Sequence, residues 1–271
     1  YGHALLARRD ALIDLLDALI CEGPVSSFPM LSQSSRFQRK WPSLYAAVED
    51  GELDSQWLRN YLAWQVPQQG ICVFPIDGSP WPRPRSRVLD DRQFVYQASS
   101  SDVNGGTVTV GYPYSLLEWC AEPHSSWSLP VDVRRVPSTQ TAQEVGTQQI
   151  KALAEARADC LEALDIIAAD GKYGNAGFLR SVKGLRCGIV ARLRCDRVLH
   201  SPPPPPTGKK GRPKVHGERF AFKEPETWGT PNEVLDLEDP CWGQVRLERW
   251  QGLHEKKGAM MSIEYTPESF L

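Results

Sequence analysis

The sequence predicts a mixed α/β layer fold, and three observations lead there. Short apolar runs bounded by turn residues recur at Ile71 to Ile76, Leu164 to Ala169 and Gly188 to Leu193, the pattern of buried strands. Asn104-Gly105-Gly106 stands between two β-prone runs, a hairpin signal. Thr141-Ala-Gln-Glu144 is a capping-box pattern that opens a helix between the second group of strands and the third. Strands followed by helix, strand, helix and strand make a layered sheet with helices packed on it.

Taken in order, residues 4–20 read as an amphipathic helix, with Leu5, Leu12, Leu16 and Leu19 at helical spacing and a stop at Glu22-Gly23-Pro24. A Ser-rich stretch with Arg36, Arg39 and Lys40 leads to two short helices, near 42–50 and 54–64, with Pro42 in the first turn of one and Asp54 capping the other. Residues 1–65 therefore form a small helical domain, for which DNA contact and plain packing weigh equally. Strands follow at 71–76, 93–99, 106–112 and 128–136, a helix at 141–158, a strand at 164–170, a helix at 175–182 and a strand at 188–193. The run Pro202 to Pro206 then favours a stiff polyproline II rod. A basic stretch with Lys209, Lys210, Arg212, Lys214 and Arg219 comes next. Residues 220–240 read as polar loop, and 241–253 as one more strand.

Composition narrows the class. The chain has 271 residues, 41% of them hydrophobic and 24% charged, enough to bury a core. The formal net charge of -2 excludes a histone-like basic coat but not a local basic patch. No apolar run is long enough to span a membrane, and no signal-peptide pattern opens the chain, so a cytoplasmic protein is expected. Opening on Tyr1 rather than Met, the chain is expected to lack its native start. Seven cysteines with no Cys-x-x-Cys spacing fit reduced thiols. Cys187, Cys195, His200 and His216 match no common zinc spacing.

The chemistry-bearing pair is Asp77 and Asp170. Each follows an apolar strand and precedes a glycine. Ligand sites in α/β sheets favour the carboxyl ends of strands. Two carboxylates brought together there repel unless a cation lies between them. Mg²⁺ takes such oxygens, and a metal pair can activate a water or a 3′-hydroxyl and stabilise the leaving oxygen. Against this, Asp-Gly after a strand is commonly no more than a turn.

Further motifs stand around the pair in a fixed order. Asp77-Gly-Ser-Pro-Trp-Pro-Arg-Pro-Arg-Ser-Arg87 is followed by Asp90-Asp91-Arg92 and Asp170-Gly-Lys-Tyr-Gly-Asn175. Gly211-Arg-Pro-Lys-Val-His-Gly-Glu-Arg219, Thr227-Trp-Gly229 and Trp250-Gln-Gly-Leu-His254 complete the set. It resembles bacterial insertion-sequence transposases of the DDE type, the DDE superfamily endonuclease group, over about residues 25–257.

The resemblance implies a ribonuclease-H-like mixed sheet with flanking helices, preceded by the helical domain and interrupted by a basic Pro-rich insertion. In that fold the first and fourth strands are neighbours, which would bring Asp77 and Asp170 together. The implied organisation is a catalytic core at 66–194, an insertion at 195–257 and a divergent or truncated tail at 258–271. Asp77 and Asp170 are the implied catalytic and metal-binding residues, with Mg²⁺ or Mn²⁺ as cofactor. The implied partner is double-stranded DNA, as transposon ends and target, bound by a homo-oligomer in a nucleoid-associated, membrane-free setting. The family's third acid is a Glu on a C-terminal helix. That pattern does not align with Glu264 or Glu268, and Pro267 argues against a long helix there. Strand transfer is accordingly expected to be impaired, and a non-catalytic DNA-binding remnant or regulator is the alternative. An unrelated two-carboxylate phosphatase or glycosidase is a third reading.

The candidate DNA-binding residues are Arg83, Arg85, Arg87 and Arg92, which can take phosphates bidentately. Lys172 after the second acid can hold a phosphate, and Tyr173 can stack on an unpaired base. Lys209, Lys210, Arg212 and Lys214 resemble the core of an AT-hook, where arginine enters a narrow minor groove. Trp81 is the tryptophan singled out as facing DNA, because it lies beside the acids. His124, His216 and His254 are assigned structural or surface roles.

Overall fold

The computed structural model describes residues 2–23, 27–96, 108–122, 127–205 and 213–256. The N-terminal region opens with β1 (Leu5–Ala7), which pairs with β2 (Glu52–Leu53). Around this pair lie α1 (Arg9–Glu22), α2 (Phe28–Leu31), α3 (Trp41–Glu49) and α4 (Ser55–Gln65). The helix expected at 4–20 starts later and ends at Gly23, whose positive φ of 65° is one that glycine adopts without strain. Asp54 caps α4 as expected, its side chain accepting from the Trp57 N–H at 2.8 Å. Leu15, Ala18, Leu31, Phe37 and Leu44 form this region's own core.

The central sheet contains β3 (Gln69–Pro82), β4 (Gln93–Tyr96), β5 (Val108–Cys120), β6 (Ser128–Arg135), β7 (Glu162–Ala169) and β8 (Gly188–Ala191). Its strand order is β4-β5-β3-β7-β8, with β6 also paired to β5. Tyr114 of β5 pairs with Ser79 on one side and Arg135 on the other, so β3 and β6 flank β5. β3 is antiparallel to β5 and parallel to β7, and β7 is parallel to β8. The sheet is mixed, as expected, and β3 and β7, the strands that lead to the two aspartates, lie side by side.

The long helix is α5 (Ala142–Ala156), opened by the capping box read from the sequence, with Thr141 and Glu144 exchanging hydrogen bonds. With α4 and the short α6 (Ala176–Ser181) it covers one face of the sheet. Alternation along β3 turns Cys72, Phe74 and Ile76 into that core, together with Leu117, Ile150, Leu153, Ile167 and Phe178. Ala63 and Val66 at the end of α4 belong to the same cluster. The other face carries Ile71, Val133, Leu164 and Val190, each at least half exposed.

Two differences from the sequence reading have physical causes. The first strand does not stop at Asp77. Its pairing with β7 ends at Ile76, but pairing with β5 runs on to Pro82. Beyond Ile76 the edge that faced β7 is free, so Pro80 and Pro82 take no ladder bond from a neighbour. The region read as polar loop, 220–240, holds β11 (Glu233–Asp239) and most of β10 (Arg219–Ala221); β10 pairs with β9 (Val198–His200), and β11 pairs with β12 (Gly243–Arg249), which lies within the strand expected at 241–253. β11 is almost wholly exposed and so lacks the apolar alternation that marks a half-buried strand. The Asn104-Gly105-Gly106 turn lies outside the described residues.

Arg157 ties these parts together. It is 3% exposed and forms a two-pronged pair with Asp165 of β7, both contacts at 2.9 Å. It also donates to the carbonyls of Ala63 and Val66 at 3.3 Å and of Pro67 at 2.8 Å. Its guanidinium lies 5.6 Å from the Phe74 ring centroid. Replacing it leaves a buried carboxylate without a partner. Arg157→Met is expected to lose about 3–5 kcal/mol in urea unfolding. Adding Asp165→Leu should restore most of that loss, because no charge then stays buried alone.

Candidate active site

The β3/β7 register runs from Gln69↔Glu162 to Ile76↔Ala169, and the next residue on each strand is an aspartate. Asp77 and Asp170 are thus brought side by side where the parallel pairing ends, and both are exposed. Asp77 lies on the sheet face away from α5, since its neighbour Ile76 points into the core against Gly146 of α5. Its Oδ1 accepts from the Gly78 N–H at 2.6 Å, and the Asp170 Oδ1 accepts from the Lys172 N–H at 2.9 Å. In each case one carboxylate oxygen is engaged by a backbone N–H. Two carboxylates supply the hard oxygen donors that Mg²⁺ or Mn²⁺ takes. Among the described residues, no group of three His, Cys, Asp or Glu side chains stands where it could hold a metal ion. The pair therefore fits as part of a ligand set and not as a closed cage. Glu264 and Glu268 lie outside the described residues.

The turn carrying Asp170 is anchored at both ends. The Tyr173 N–H donates to the Asp170 carbonyl at 3.1 Å, and Asn175 caps α6 through the Phe178 N–H at 3.0 Å. Gly174 is pressed against the chain after β8, where a methyl group would come within 2.5 Å of the Arg192 carbonyl. Arg192 in turn donates its N–H to Ala169 at 2.9 Å. Arg192 and Arg194 are thereby held exposed beside the second acid. The sequence reading passed over both. Their signal was two arginines spaced by one residue directly after a buried strand. Lys172 is exposed too, and its ammonium reaches back to β3, lying 2.9 Å from where a Gly78 methyl would stand.

Tyr173 corrects an expectation. It is fully buried and so cannot stack on an unpaired base. Its ring packs edge-on against Phe178 at 5.1 Å, and its hydroxyl lies 3.4 Å from Ser115 Oγ. Ser115 donates to Gln149 Oε1 at 2.6 Å, and Gln149 Nε2 donates to the carbonyls of Ser115 and Asp132. The single Ser115 proton is thus committed to Gln149, which makes the tyrosine the donor in its own contact. Burial, and then the charges of Asp77 and Asp170, push the Tyr173 phenol above its usual pKa.

The arginine loop after Asp77 is folded onto β5 and β6. Asp91, at a left-handed φ of 54°, accepts from Arg135 at 2.9 Å and from the Ser138 N–H at 3.2 Å. Those Ser138 hydrogen bonds, and then the Arg135 charge, hold its carboxyl below the usual range. Tyr112 Oη donates to the Asp90 carbonyl at 2.8 Å. Arg92 is half-buried and points its guanidinium into the loop, at the Arg83 and Arg87 carbonyls. Arg85 and Arg87 are exposed. Arg83 lies over Trp81, 4.6 Å from its ring centroid.

Beyond β8, Leu199, Phe220, Trp250 and Leu253 make a separate core. His200 and His216 meet there in company with His254, whose Nε2 is 2.8 Å from His216 Nδ1. Cys195 is exposed and Cys187 packs at the edge of the main core. Lys214 is exposed, whereas Lys209, Lys210, Arg212 and His124 lie outside the described residues.

Comparison with known proteins adds one firm match. The pattern of the family described as DDE superfamily endonuclease covers residues 3–255. No curated protein matches the chain. Among solved structures, it is similar to a piggyBac transposase synaptic complex with hairpin DNA, at 12% identity and a TM-score of 0.38, over 90% of this chain and 49% of that one. It is also similar to a pre-cleavage Mos1 transpososome, at 11% identity and a TM-score of 0.24, over 64% and 57%. A Mos1 transposase paired-end complex with the left transposon end gives 12% and 0.25, over 68% and 59%. The chain spans less than two thirds of each, and likenesses this distant carry no residue roles.

The packing beneath the acids can be tested at Gly146 of α5. A methyl group there would stand 2.9 Å from both Tyr173 Cε1 and Ile76 Cδ1, atoms of buried side chains. Overpacking of this kind costs about 1–3 kcal/mol, against about 1 kcal/mol gained from the better helix former. Gly146→Ala should lower the thermal unfolding midpoint. A raised midpoint would mean that the tyrosine ring is free to move.

Proposed function

Because the chain belongs to the DDE superfamily endonuclease family, we propose that it is a DNA transposase component of the insertion-sequence type. In this reading Asp77 and Asp170 hold Mg²⁺ or Mn²⁺ at the ends of the element, for phosphodiester hydrolysis and strand transfer. The observation that carries it is the parallel register that brings two aspartates from distant parts of the chain to neighbouring strand positions.

When bound, the divalent ions supply an activated water or 3′-hydroxyl and a charge to meet the leaving oxygen. The protein's own groups do the rest. Lys172, Arg192 and Arg194 are exposed cations at the turn of the second acid, Arg194 shared with Asp196, and they hold phosphates beside it; Arg85 and Arg87 hold phosphates further along, in the loop after β3. Arg92 holds the loop's shape from inside, and Arg83 is held over Trp81. Lys209, Lys210, Arg212 and Lys214 extend the basic surface along the Pro-rich segment. Double-stranded DNA is the partner, with a homo-oligomer as the assembly that pairs two ends and the bacterial cytoplasm as the setting. Among the described residues, no helix is long and apolar enough to cross a membrane.

One observation favours a second reading. Among the described residues, no third carboxylate joins the pair as a metal ligand. A chain with two acids can bind ends without joining them, as a regulator does.

Mn²⁺ titration of the wild type against Asp77→Ala and Asp170→Ala tests the site. Each substitution should abolish binding on its own, because neither acid suffices alone. Absence of binding in the wild type would sink the metal reading. DNA affinity measured against salt should fall steeply, and Arg85→Ala should reduce the log–log slope by about 1. End binding without cleavage would select the regulator.

A further inference from the structure

The face of the sheet that carries Asp77 continues past it as a ribbon of β3 and β5. Residues at every second position share that face, so Ser79 and Trp81 follow Asp77 along it. Their partners on β5 are Tyr114 and Tyr112. Arg135, the β6 partner of Tyr114, lies on the same face. The side chains form two stacked pairs. Arg83 lies over the Trp81 ring at 4.6 Å, and Arg135 lies over the Tyr112 ring at 5.2 Å. Trp81 also meets Tyr114, with ring centroids 5.7 Å apart and a tilt of 47°.

This is an unusual surface to leave in water. Trp81 is 50% exposed, and Tyr112, Tyr114 and Arg83 are half-buried. The backbone around it is fixed. The Arg83 N–H donates to Val110 at 2.8 Å, its guanidinium donates to the Pro82 carbonyl at 2.8 Å, and the Asp91 clamp holds Arg135. Flat rings and guanidinium planes, held rigid and positively charged, match a nucleic-acid strand whose bases are unstacked. A duplex offers phosphates to such a surface but keeps its base faces hidden.

We propose that Trp81, Arg83 and Tyr114 form a stacking platform for unpaired nucleotides of the DNA strand that passes Asp77 and Asp170. The platform rests on the reading of those acids as the phosphodiester site. Trp81 is four strand positions from Asp77, about 13 Å, a distance that a few nucleotides of an opened strand span. Bases opened beside the cut are held there while the phosphates stay with the arginines.

The test compares an 8-nucleotide single strand with a 20-base-pair duplex, each fluorescently labelled, by anisotropy over a range of salt. Trp81→Leu should weaken single-strand binding by about tenfold or more, the loss expected of one stacked base. Its salt slope should stay unchanged, and duplex binding should move less than twofold. Trp81→Phe should recover much of the loss, because it keeps an aromatic face. Equal loss on both DNAs, an altered salt slope, or no loss at all overturns the platform. Since nothing in these readouts uses metal, failure of Mn²⁺ binding at the acids is a separate result. Circular dichroism of Trp81→Leu checks that the ribbon is intact.

Discussion

The arrangement depends first on one buried ion pair. Arg157 and Asp165 lie in the core with their charges matched, and the same guanidinium reaches the carbonyls of Ala63, Val66 and Pro67. Those carbonyls sit where the helical region gives way to β3, and Asp165 sits in the middle of β7. One side chain therefore fixes where β3 begins relative to β7. Parallel strands have no hairpin to set their register, so a constraint of this kind matters more here than between β5 and β6. A slip of one residue would move one aspartate to the helix side of the sheet and leave the other behind.

With the register set, the site follows from what each strand does next. β7 ends and turns, while β3 runs on along β5. The acids stand at the fork. One branch leads into the turn at 170–175, locked from below by Tyr173 and from the side by Arg192. The other leads into the ribbon and the arginine loop clamped by Asp91. Cations stand beside the second acid on one branch and cluster further along the other, although the chain as a whole is slightly acidic. Net charge was therefore no guide to the local field, which depends on where the arginines are held.

Much of this was legible in the sequence because the signals were local. The capping box at Thr141, the Asp54 cap, and the apolar runs at Ile71 and Leu164 each declare their element within a few residues. The acid pair was legible only through the order of motifs, since each Asp-Gly alone reads as a turn. The sequence hid features that depend on partners far along the chain. Asp77 lies inside a strand because β5 continues beside it, which no local pattern announces. Tyr173 looked like a surface residue among Gly, Lys and Asn, yet the glycine at 146 opens a place for its ring in the core. β11 buries little and so leaves no periodic trace, although its partner β12 was legible at 241–253.

The pairing of β3 with β7 also sets a clock. Its two strands are separated by the whole of the β4–β6 region and α5, all of which must be made and folded before the second aspartate can meet the first. Contacts between such distant segments form slowly, since loop closure comes before any reward from pairing. During synthesis the emerging chain would carry its basic loop long before it carried a complete acid pair.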